Sequence, residues 1–571
     1  MSARPPDRDE FDTLSRRDFV RTSVLLGGGS LAVTAGVDAV PRVGQAADRG
    51  GEGVSRGPAL DVRDFGGIGD GRTADTRAIQ QAIDAAHRLG GGLVQLPAGT
   101  WRSGTLALRS RVTLELTPGA VLLASPDDDD FAPPERLPFA SGSDVETTDF
   151  ANALLAGHDL ERVAVVGGGV IDMNRRRRLG PKPIALKRCR FVTVQGVTIV
   201  HAPNYCVSLG GCEDVLVDGV TIRDAHADGI DPDCCRRVRI ANCDIESDDD
   251  ALCLKTSFLL GERGVTEDVL VTNCRMRSPS NCFKLGTEST GDFRQIVLSN
   301  CVFSGSPTER HDPAAAEGGG VAIITVDGGS VDGVMISNVV MTGVPAPLFI
   351  RLGDRGRDQA GPTPGRLRNV SISGVLAVGA SATGSIAGLP GHPVERISVE
   401  NVRITAAGGA PHATGLDVPE RAADYPKVSM YGPLPALGLY VRHARDVMLR
   451  NIELAVEGPD PRPSLVADDV AGLHLAGLTG PSANGRGPVV WLNDIRGGLV
   501  HGNVVPEDAG VFLRVTGENT KGVALVGNAY WTPGPIELAP EITPRAVMQV
   551  AGGGSEGGTP TADRPRARKP S

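Results

Sequence analysis

The chain has 571 residues, which would allow several domains, but its internal repeats argue for one elongated unit. Its 58 basic and 68 acidic side chains give a formal net charge of −10, which argues against binding to nucleic acid or to an anionic membrane surface. The 75 glycines and an aromatic content of 4% indicate many turns around a core of small aliphatic side chains.

Residues 1–47 have the features of an export signal. Arg16 and Arg17 precede a moderately apolar stretch, VLLGGGSLAVTAGV, and small residues follow near Ala46. This order resembles a twin-arginine export signal. A membrane anchor is the alternative, but glycines interrupt the apolar stretch, and no later segment has about 20 consecutive apolar residues. We therefore expect a periplasmic or secreted protein, with no membrane span in the mature chain.

Residues 58–545 are predicted to form a single folded domain that begins with an amphipathic helix, roughly Thr73 to Leu89. Four apolar residues share one face of this helix: Ile79, Ala82, Ile83 and Ala86. If the repeats that follow stack into a solenoid, this helix would cover its open end, where strand edges are otherwise exposed.

Nine apolar runs share one eight-residue template, of which VTVQGVTI from Val192 and VLVDGVTI from Val215 are the first two. The fifth position is always Gly or Asn, namely Gly196, Gly219, Asn242, Asn273, Asn300, Asn338, Gly374, Asn401 and Asn451. Because Gly and Asn tolerate positive φ best, each run is predicted to be two short strands hinged at a left-handed bend. A leucine-rich horseshoe would show a leucine consensus and helical return segments, and the sequence has neither.

The runs start 23, 23, 31, 27, 38, 36, 27 and 50 residues apart, so the shortest coil has about 23 residues and longer coils carry loop insertions. This spacing predicts an all-β fold, a right-handed parallel β-helix with a short N-terminal capping helix. Residues 550–571, rich in Gly, Pro and charged residues, are expected to be a disordered tail.

All ten cysteines lie between Cys189 and Cys301. Three of them, Cys243, Cys274 and Cys301, occupy the sixth template position, where other coils have Val or Ile, and so are predicted to stack in the core. Pairing of Cys212 with Cys234 or Cys235 is left open. No C-x-x-C spacing occurs, which argues against zinc, and we expect no metal or cofactor.

Four polar residues stand seven to nine positions after the bend of their own coil: Asp228, Asp249, Asp250 and Asn281. The interval of 21 residues between Asp228 and Asp249 is close to one coil, so these side chains should lie side by side. Crowded acids cost free energy unless one is protonated, a cation binds, or the repulsion is used. Glycoside hydrolysis uses one protonated and one ionised carboxyl. A calcium site or merely solvated acids remain the alternatives.

The strands after these acids alternate between core and surface. Five apolar residues should point inward, namely Ile230, Leu252, Leu254, Phe283 and Leu285. Four residues should then point out into the groove: Asp231, Cys253, Lys255 and Lys284. A lysine there is either a salt-bridge partner of the aspartates or a substrate ligand. Glu288, in NCFKLGTES, should lie near the same groove.

Residues 58–345 resemble the polygalacturonase family of glycoside hydrolases, family 28. VRDFGGIGDGRTADTRAIQQAI is similar to a signature of the wider pectin-degrading β-helix superfamily, and HADGIDPDCCRRVRIANCDIESDDDALCLKTS is similar to the more specific family motifs. The resemblance implies that Asp249 is the general acid and that Asp228 and Asp250 position and deprotonate the attacking water. It also implies inversion at the anomeric carbon.

Two family motifs differ in this sequence. Where the family has Gly-His-Gly the chain reads Ser280-Asn281-Cys282, so the supporting histidine is missing, and His201 or His226 is a candidate replacement. Where the family has Arg-Ile-Lys, which resembles a clamp for the uronate carboxylate, the chain reads Ala322-Ile323-Ile324. The predicted substrate-binding residues are therefore His226, Asp231, Lys255, Asn281, Lys284, Glu288 and Arg351.

The sequence thus predicts an exported, monomeric inverting glycoside hydrolase that acts on a pectic or related acidic polysaccharide or oligosaccharide. Long insertions at 303–320, 353–366 and 405–436 could wall one end of the groove, which would favour exo action. One alternative is a polysaccharide lyase on the same scaffold, with calcium on the acids and Lys255 or Lys284 as the base. Another is a noncatalytic carbohydrate-binding surface solenoid.

Overall fold

The computed structural model describes residues 59–550, apart from 176, 306–317, 360–363, 411–414, 484–486, 506, 508 and 532–534. The predicted export signal lies outside the described residues, as does the predicted tail except for Val550. Val550 is the last residue of a strand, Val547–Val550, and so does not belong to a disordered tail.

The described chain consists of short strands with two α-helices, α1 (Thr76–Arg88) and α2 (Val145–Thr148), and three 3₁₀ turns (Val62–Phe65, Asp128–Asp130 and Val428–Tyr431). The strands are β1 (Ala59–Asp61), β2 (Asp70–Ala74), β3 (Gly92–Leu96), β4 (Gly99–Ser103), β5 (Leu106–Ala107), β6 (Val112–Leu116), β7 (Ala120–Ala124), β8 (Ala153–His158), β9 (Glu161–Gly167), β10 (Val170–Asp172), β11 (Lys182–Lys187), β12 (Arg190–Gln195), β13 (Thr198–Val200), β14 (Val207–Gly210), β15 (Glu213–Asp218), β16 (Thr221–Ala225), β17 (Ile230–Asp233), β18 (Arg236–Ala241), β19 (Asp244–Ser247), β20 (Leu252–Thr256), β21 (Val265–Thr272), β22 (Arg275–Arg277), β23 (Phe283–Ser289), β24 (Asp292–Ser304), β25 (Gly319–Thr325), β26 (Ser330–Thr342), β27 (Ala346–Leu352), β28 (Arg366–Ala380), β29 (Gly384–Ala387), β30 (Val394–Ala406), β31 (Leu439–Val456), β32 (Leu465–Ala476), β33 (Pro488–His501), β34 (Val511–Thr516), β35 (Lys521–Val526), β36 (Ile536–Leu538) and β37 (Val547–Val550).

These strands pair in parallel with the equivalent strand of the next coil, which builds three sheets along a right-handed parallel β-helix. The sheet that carries the predicted acids runs from β5 through β8, β11, β14, β17, β20, β23, β25, β27 and β29 to β31 and beyond. We call it the site sheet. Its inward row is apolar and continuous: Ile184 pairs with Val207, Val207 with Ile230, Ile230 with Leu252, and Leu252 with Phe283.

The left-handed bends occur where the template predicts them. All nine Gly and Asn residues at the fifth position have φ between 52° and 75°. The bend separates two strands in the first four of these coils, such as β12 and β13, as predicted. In the last five coils the strand runs unbroken through the bend, as β24 does through Asn300, which the prediction of two short strands missed.

Helix α1 begins three residues later and ends one residue earlier than predicted. Its predicted apolar face is almost completely buried, and the helix contacts the first strands of the solenoid, as expected for a cap. All ten cysteines are buried and none is in a disulfide. Cys274 contacts both Cys243 and Cys301, which confirms the predicted ladder. No helix in the described part of the chain has the length and apolarity to cross a membrane.

The outer face of the site sheet is covered by apolar clusters on two sides of the predicted acids. Beyond β23, the outward residues Ala322 and Ile324 of β25 belong to a buried cluster with Val418, Tyr431 and Leu434 of the 405–436 insertion. Before β14, Phe150 and Leu259 cover Ala185 of β11 in a smaller cluster. The acids therefore lie on the stretch of outer face between these two clusters.

Candidate active site

The predicted acids meet on adjacent coils of the site sheet. The Gly229 N–H donates to the Asp250 carbonyl (2.9 Å), and the Ala251 N–H donates to the Asn281 carbonyl (2.9 Å), so three coils are in register here. Carboxylate oxygens of Asp228 and Asp250 lie within 4.8 Å of each other. Gly229 is required for this approach, because a Cβ there would lie 2.4 Å from the Ala251 carbonyl oxygen.

Asp250 is buried in a set of donors that favour its ionised form. Its Oδ2 accepts from the Lys284 ammonium (2.7 Å), and its Oδ1 accepts from the Asn281 side-chain amide (2.7 Å) and the Ser280 hydroxyl (3.1 Å). Burial raises the pKa of Asp250, but Lys284 and Asn281 outweigh that effect, and the net pKa is below its ordinary value. Asp250 therefore carries a negative charge at neutral pH.

Asp228 has the opposite character, although it also faces a lysine. Lys255 Nζ lies 2.8 Å from Asp228 Oδ2 and 2.7 Å from Asp231 Oδ1, so one ammonium serves two buried carboxyls. Burial raises the pKa of Asp228 well above its ordinary value, and repulsion from Asp231 adds to the shift. Burial also raises the pKa of Asp231. Two carboxyls beside a single cation thus favour retention of a proton between them.

Asp249 lies at the rim of the cluster, with its side chain 29% exposed. Its Oδ2 accepts from Arg178 Nη1 at 2.5 Å. The same guanidinium forms a two-pronged ion pair with Glu146 of α2, through Nε (3.0 Å) and Nη2 (2.8 Å). Sequence reasoning missed Arg178 and Glu146, which lie outside the repeats; the arginine run NRRRRLG was the available signal.

The two lysines and Asp231 leave the core as predicted, but they are not solvated. Asp231, Lys255 and Lys284 are 2%, 2% and 6% exposed. The ring of Tyr205 covers the Lys255 ammonium, with 3.8 Å from Nζ to the ring centroid. Burial makes the pairing obligatory, because an unpaired charge at such a position would cost several kcal/mol, on the order of 3–5. Of the two roles predicted for the lysines, salt-bridge partner or substrate ligand, the structure supports that of salt-bridge partner.

Three other predicted residues have partners outside the acid cluster. His226 Nδ1 lies 3.3 Å from Asp248 Oδ2, and Glu288 Oε1 lies 3.4 Å from Arg357 Nη1. Arg351 requires a correction, because it is 1% exposed and donates to the backbone carbonyls of Gly388, Glu420 and Arg421. Its guanidinium fastens the 405–436 insertion to the solenoid, which does not support a substrate-binding role.

The missing Arg-Ile-Lys motif has a structural explanation. Ala322 and Ile324 of β25 point away from the core, as the corresponding cations would, but the 405–436 insertion packs on them. Charged side chains there would be buried in an apolar cluster. This insertion also places Tyr425, which is 51% exposed, with its ring centroid 5.9 Å from Lys284 Nζ. Sequence reasoning did not identify Tyr425, because this residue lies in an insertion that does not share the repeat pattern.

A further buried lysine lies behind the acids. Lys182 of β11 is completely buried, donates to the Ser208 hydroxyl (2.9 Å), and faces the Phe150 ring at 4.5 Å. Burial lowers the pKa of Lys182 to about 8. Its enclosure excludes direct contact with a polysaccharide in this conformation.

Asp228, Asp250 and Cys253 place possible metal-ligand atoms within 4.8 Å of one another. A cation at this point would meet the ammonium groups of Lys255 and Lys284, which already pair with the two carboxylates. Calcium also prefers oxygen ligands to a thiol. The donor set therefore does not fit the calcium site considered from the sequence.

Comparison with known proteins is consistent with this arrangement. Residues 144–423 match the model of glycosyl hydrolases family 28, and residues 59–115 match that of the rhamnogalacturonase A/epimerase, pectate lyase-like group. A probable polygalacturonase from Vitis vinifera is 27% identical over 383 residues, which cover 62% of this chain and 76% of the relative. An exo-poly-alpha-D-galacturonosidase from Dickeya chrysanthemi is 34% identical over 123 residues, covering 21% and 20%.

Two solved structures share the fold. An exopolygalacturonase from Thermotoga maritima superposes with a TM-score of 0.54 at 21% identity, covering 69% of this chain and 92% of that one. The family 28 exopolygalacturonase of Yersinia enterocolitica gives 0.55 at 17% identity, covering 75% and 78%. These two structures show the fold. The family 28 match spans the coils that hold the acids and, with the similarity to the probable polygalacturonase, identifies the protein as a glycoside hydrolase, a polygalacturonase-like member of glycosyl hydrolase family 28.

Proposed function

We propose that the protein is an exo-acting, inverting hydrolase of galacturonate-containing polysaccharides or oligosaccharides, and that it acts as a monomer. The observation that carries the chemistry is the proximity of two buried carboxyls of different character: oxygens of Asp228 and Asp250 lie within 4.8 Å, Lys284 and Asn281 lower the pKa of Asp250 despite its burial, and burial raises the pKa of Asp228. A third carboxyl, Asp249, is at the accessible rim. This is the set of groups that hydrolysis by water needs.

The environment of each acid supports a distinct role. Asp249 protonates the leaving glycosidic oxygen, because it is the most exposed of the three and can reach a bound chain. Asp250 removes a proton from the attacking water, since Lys284 and Asn281 keep it ionised. Asp228 holds that water in place through its hydrogen-bonding oxygens. The water attacks the face opposite to the leaving group, which inverts the anomeric carbon.

Two apolar clusters support exo action. The groove of an endo-acting enzyme must let a polymer pass in both directions along the site sheet. Here the outer face is covered beyond β23 by Val418, Tyr431 and Leu434, and before β14 by Phe150 and Leu259. A chain end fits between these clusters, whereas an internal segment would have to displace one. The relatives from Dickeya chrysanthemi, Thermotoga maritima and Yersinia enterocolitica are also named as exo-acting.

The lyase alternative is disfavoured by the state of its candidate bases. A lyase base must be neutral to remove a proton from the sugar. Burial lowers the pKa values of Lys255 and Lys284, but the adjacent carboxylates outweigh it and raise both well above the ordinary lysine value. Both are therefore ammonium ions at any pH at which pectin is attacked. The product of a lyase would absorb near 235 nm, which provides a direct check.

Replacement of Asp249 by Asn tests the proposed acid. We expect turnover of polygalacturonate to fall about 10³-fold or more, because general acid catalysis is lost. The fold should be unaffected, since Asp249 forms one ion pair at a partly exposed position, worth at most about 1 kcal/mol. NMR of the freshly released sugar from the wild-type enzyme would show the β-anomer if the reaction inverts an α-linkage.

Asp244 offers a matched control for this variant. It lies on the preceding strand, is 32% exposed, and forms an ion pair with Arg223 at 2.6 Å, much as Asp249 does with Arg178. Asp244→Asn should retain wild-type turnover. Full activity of Asp249→Asn, or equal losses in the two variants, would contradict the assignment.

We also propose that residues 1–47 direct export by a twin-arginine route. The support is the sequence alone, in particular Arg16-Arg17 before an apolar stretch that ends in small residues. A hydrolase of plant or environmental polysaccharide needs to leave the cytoplasm, because such polymers do not enter cells.

A further inference from the structure

We propose that Arg178 recognises the carboxylate of the sugar, in place of the clamp that Ala322-Ile323-Ile324 lacks, and that this contact frees Asp249 to act as the acid. The inference rests on the proposed function and specifies its substrate. It combines two observations: the missing clamp position is sealed, and an accessible guanidinium already binds a carboxylate beside the acids.

The cations that pair with the acids differ in their accessibility to a substrate. Among the described residues, three cations pair with the predicted catalytic acids, and two of them, Lys255 and Lys284, have side chains that are only 3% and 7% exposed. The Arg178 side chain is 41% exposed. A substrate can therefore meet Arg178 without breaking a buried ion pair.

The guanidinium of Arg178 has the geometry to bind a second carboxylate. A guanidinium has five N–H donors in a planar fork that matches a carboxylate. Two of them hold both oxygens of Glu146 and fix the orientation of Arg178, and one binds Asp249. One N–H on each terminal nitrogen remains, and these can receive a second carboxylate. Glu146 thus holds Arg178 in position, and the single bond to Asp249 is the one that a substrate carboxylate can replace.

Binding of a uronate to Arg178 would also affect the state of Asp249. In the ion pair with Arg178, Asp249 acts as a hydrogen-bond acceptor, whereas a general acid has to donate. A uronate carboxylate that binds the free N–H groups and displaces Asp249 from Nη1 would release this partly exposed side chain, which then takes up a proton from solvent and donates it to the glycosidic oxygen. A neutral sugar would leave the ion pair intact. Arg178 would then discriminate through turnover as well as through binding.

Arg357 is the strongest competitor for this role. Its side chain is 29% exposed and lies near the groove, 3.4 Å from Glu288 and 3.5 Å from Asp144. Both distances exceed those of Arg178 to its partners, and Arg357 makes no ion pair with Asp228, Asp249 or Asp250 among the described contacts. Arg178 is therefore the better candidate for binding the sugar carboxylate, and an Arg357 variant is included for comparison.

The test compares hydrolysis of trigalacturonate with that of its methyl ester by wild type, Arg178→Gln, Arg178→Lys and Arg357→Gln. We expect Arg178→Gln to lower kcat/KM about 100-fold on the acid and less than about threefold on the ester, with partial recovery in Arg178→Lys. Equal losses on the two substrates, no loss on either, or a charge-selective loss in Arg357→Gln instead would each overturn the proposal.

Two further measurements separate this inference from the proposed function. Arg237 is a matched control, because it is 44% exposed and bridges Glu213 (2.8 Å) and Asp214 (2.7 Å), so Arg237→Gln should behave as wild type. Calorimetry with D-galacturonate and D-galactose measures recognition without turnover. Absence of hydrolysis by wild type would refute the proposed function, whereas tighter binding of galacturonate that depends on Arg178 would still support the inference. Binding that is indifferent to Arg178 would overturn it.

Discussion

Lys284→Met provides the sharpest test of how the acids divide their roles. The change removes the ammonium that lies 2.7 Å from Asp250 Oδ2 and keeps a side chain of similar length. Breaking a buried ion pair costs about 3–5 kcal/mol. Part of this cost falls on the ionised form of Asp250, so the pKa of Asp250 should rise, while the remaining hydrogen bonds from Asn281 and Ser280 limit the rise.

The sign of the effect on activity follows from the proposed role of Asp250. A base must be ionised, so activity disappears as the pH falls through its pKa. The wild-type pKa is below the ordinary value of about 3.9, and the acidic limb of kcat/KM should therefore extend below pH 4. In Lys284→Met this limb should move to higher pH, because Lys284 no longer offsets the effect of burial on the pKa of Asp250. A limb within about 0.3 unit of wild type, in an active variant, would refute the reasoning.

Stability supplies a second measurement that needs no substrate. A carboxyl with a lowered folded-state pKa stabilises the protein above its unfolded pKa, and this contribution is lost as the pH falls through the folded value. In the variant the pKa of Asp250 in the folded protein is higher, so this stabilising contribution is smaller. The difference in unfolding free energy between wild type and Lys284→Met should therefore grow as the pH rises through the titration of Asp250. A difference that is independent of pH would contradict the argument.

Lys187→Met is the matched control for both measurements. Lys187 is similarly buried and lies 2.7 Å from Glu135 Oε1, but it pairs with none of the predicted catalytic acids. Its loss should destabilise the protein and leave the acidic limb of the pH profile unchanged.

Two more predictions concern binding and export. Tyr425→Ala should raise KM about fivefold with a stability change of less than about 0.5 kcal/mol, because the half-exposed ring offers a surface for the sugar at a cost of about 1 kcal/mol when removed; an unchanged KM for trigalacturonate would exclude this surface from the site. Replacing Arg16 and Arg17 by Lys should retain the protein in the cytoplasm of its host, as measured by fractionation, and efficient export of that variant would exclude the twin-arginine route.

Much of the solenoid could be predicted from the sequence because its physics is local and repeated. A residue with positive φ is needed once per coil, and Gly and Asn supply it at nine equivalent positions. The same repeat fixes which residues of different coils become neighbours. Asp228, Asp250 and Asn281 could therefore be brought together by counting along the chain, although their catalytic roles stay predictions.

The surroundings of the acids could not be predicted in the same way. Arg178, Glu146 and Tyr425 lie in segments between coils, where no period fixes the backbone and contacts join residues that are far apart in sequence. Arg351 shows the same limit, because its predicted role in substrate binding could not take account of the backbone carbonyls that its guanidinium contacts. Its partners at 420 and 421 come from an insertion about 70 residues later.

That insertion also connects the two departures from the family pattern. It covers Ala322 and Ile324, which makes cations at those positions unfavourable, and it closes the outer face of the site sheet on that side. Under the proposed exo action, a chain end would enter at the uncovered stretch, where Tyr425 and Arg178 border the acids. If Arg178 binds the sugar carboxylate as we propose, the enzyme can retain acidic substrates although the family's usual clamp is absent.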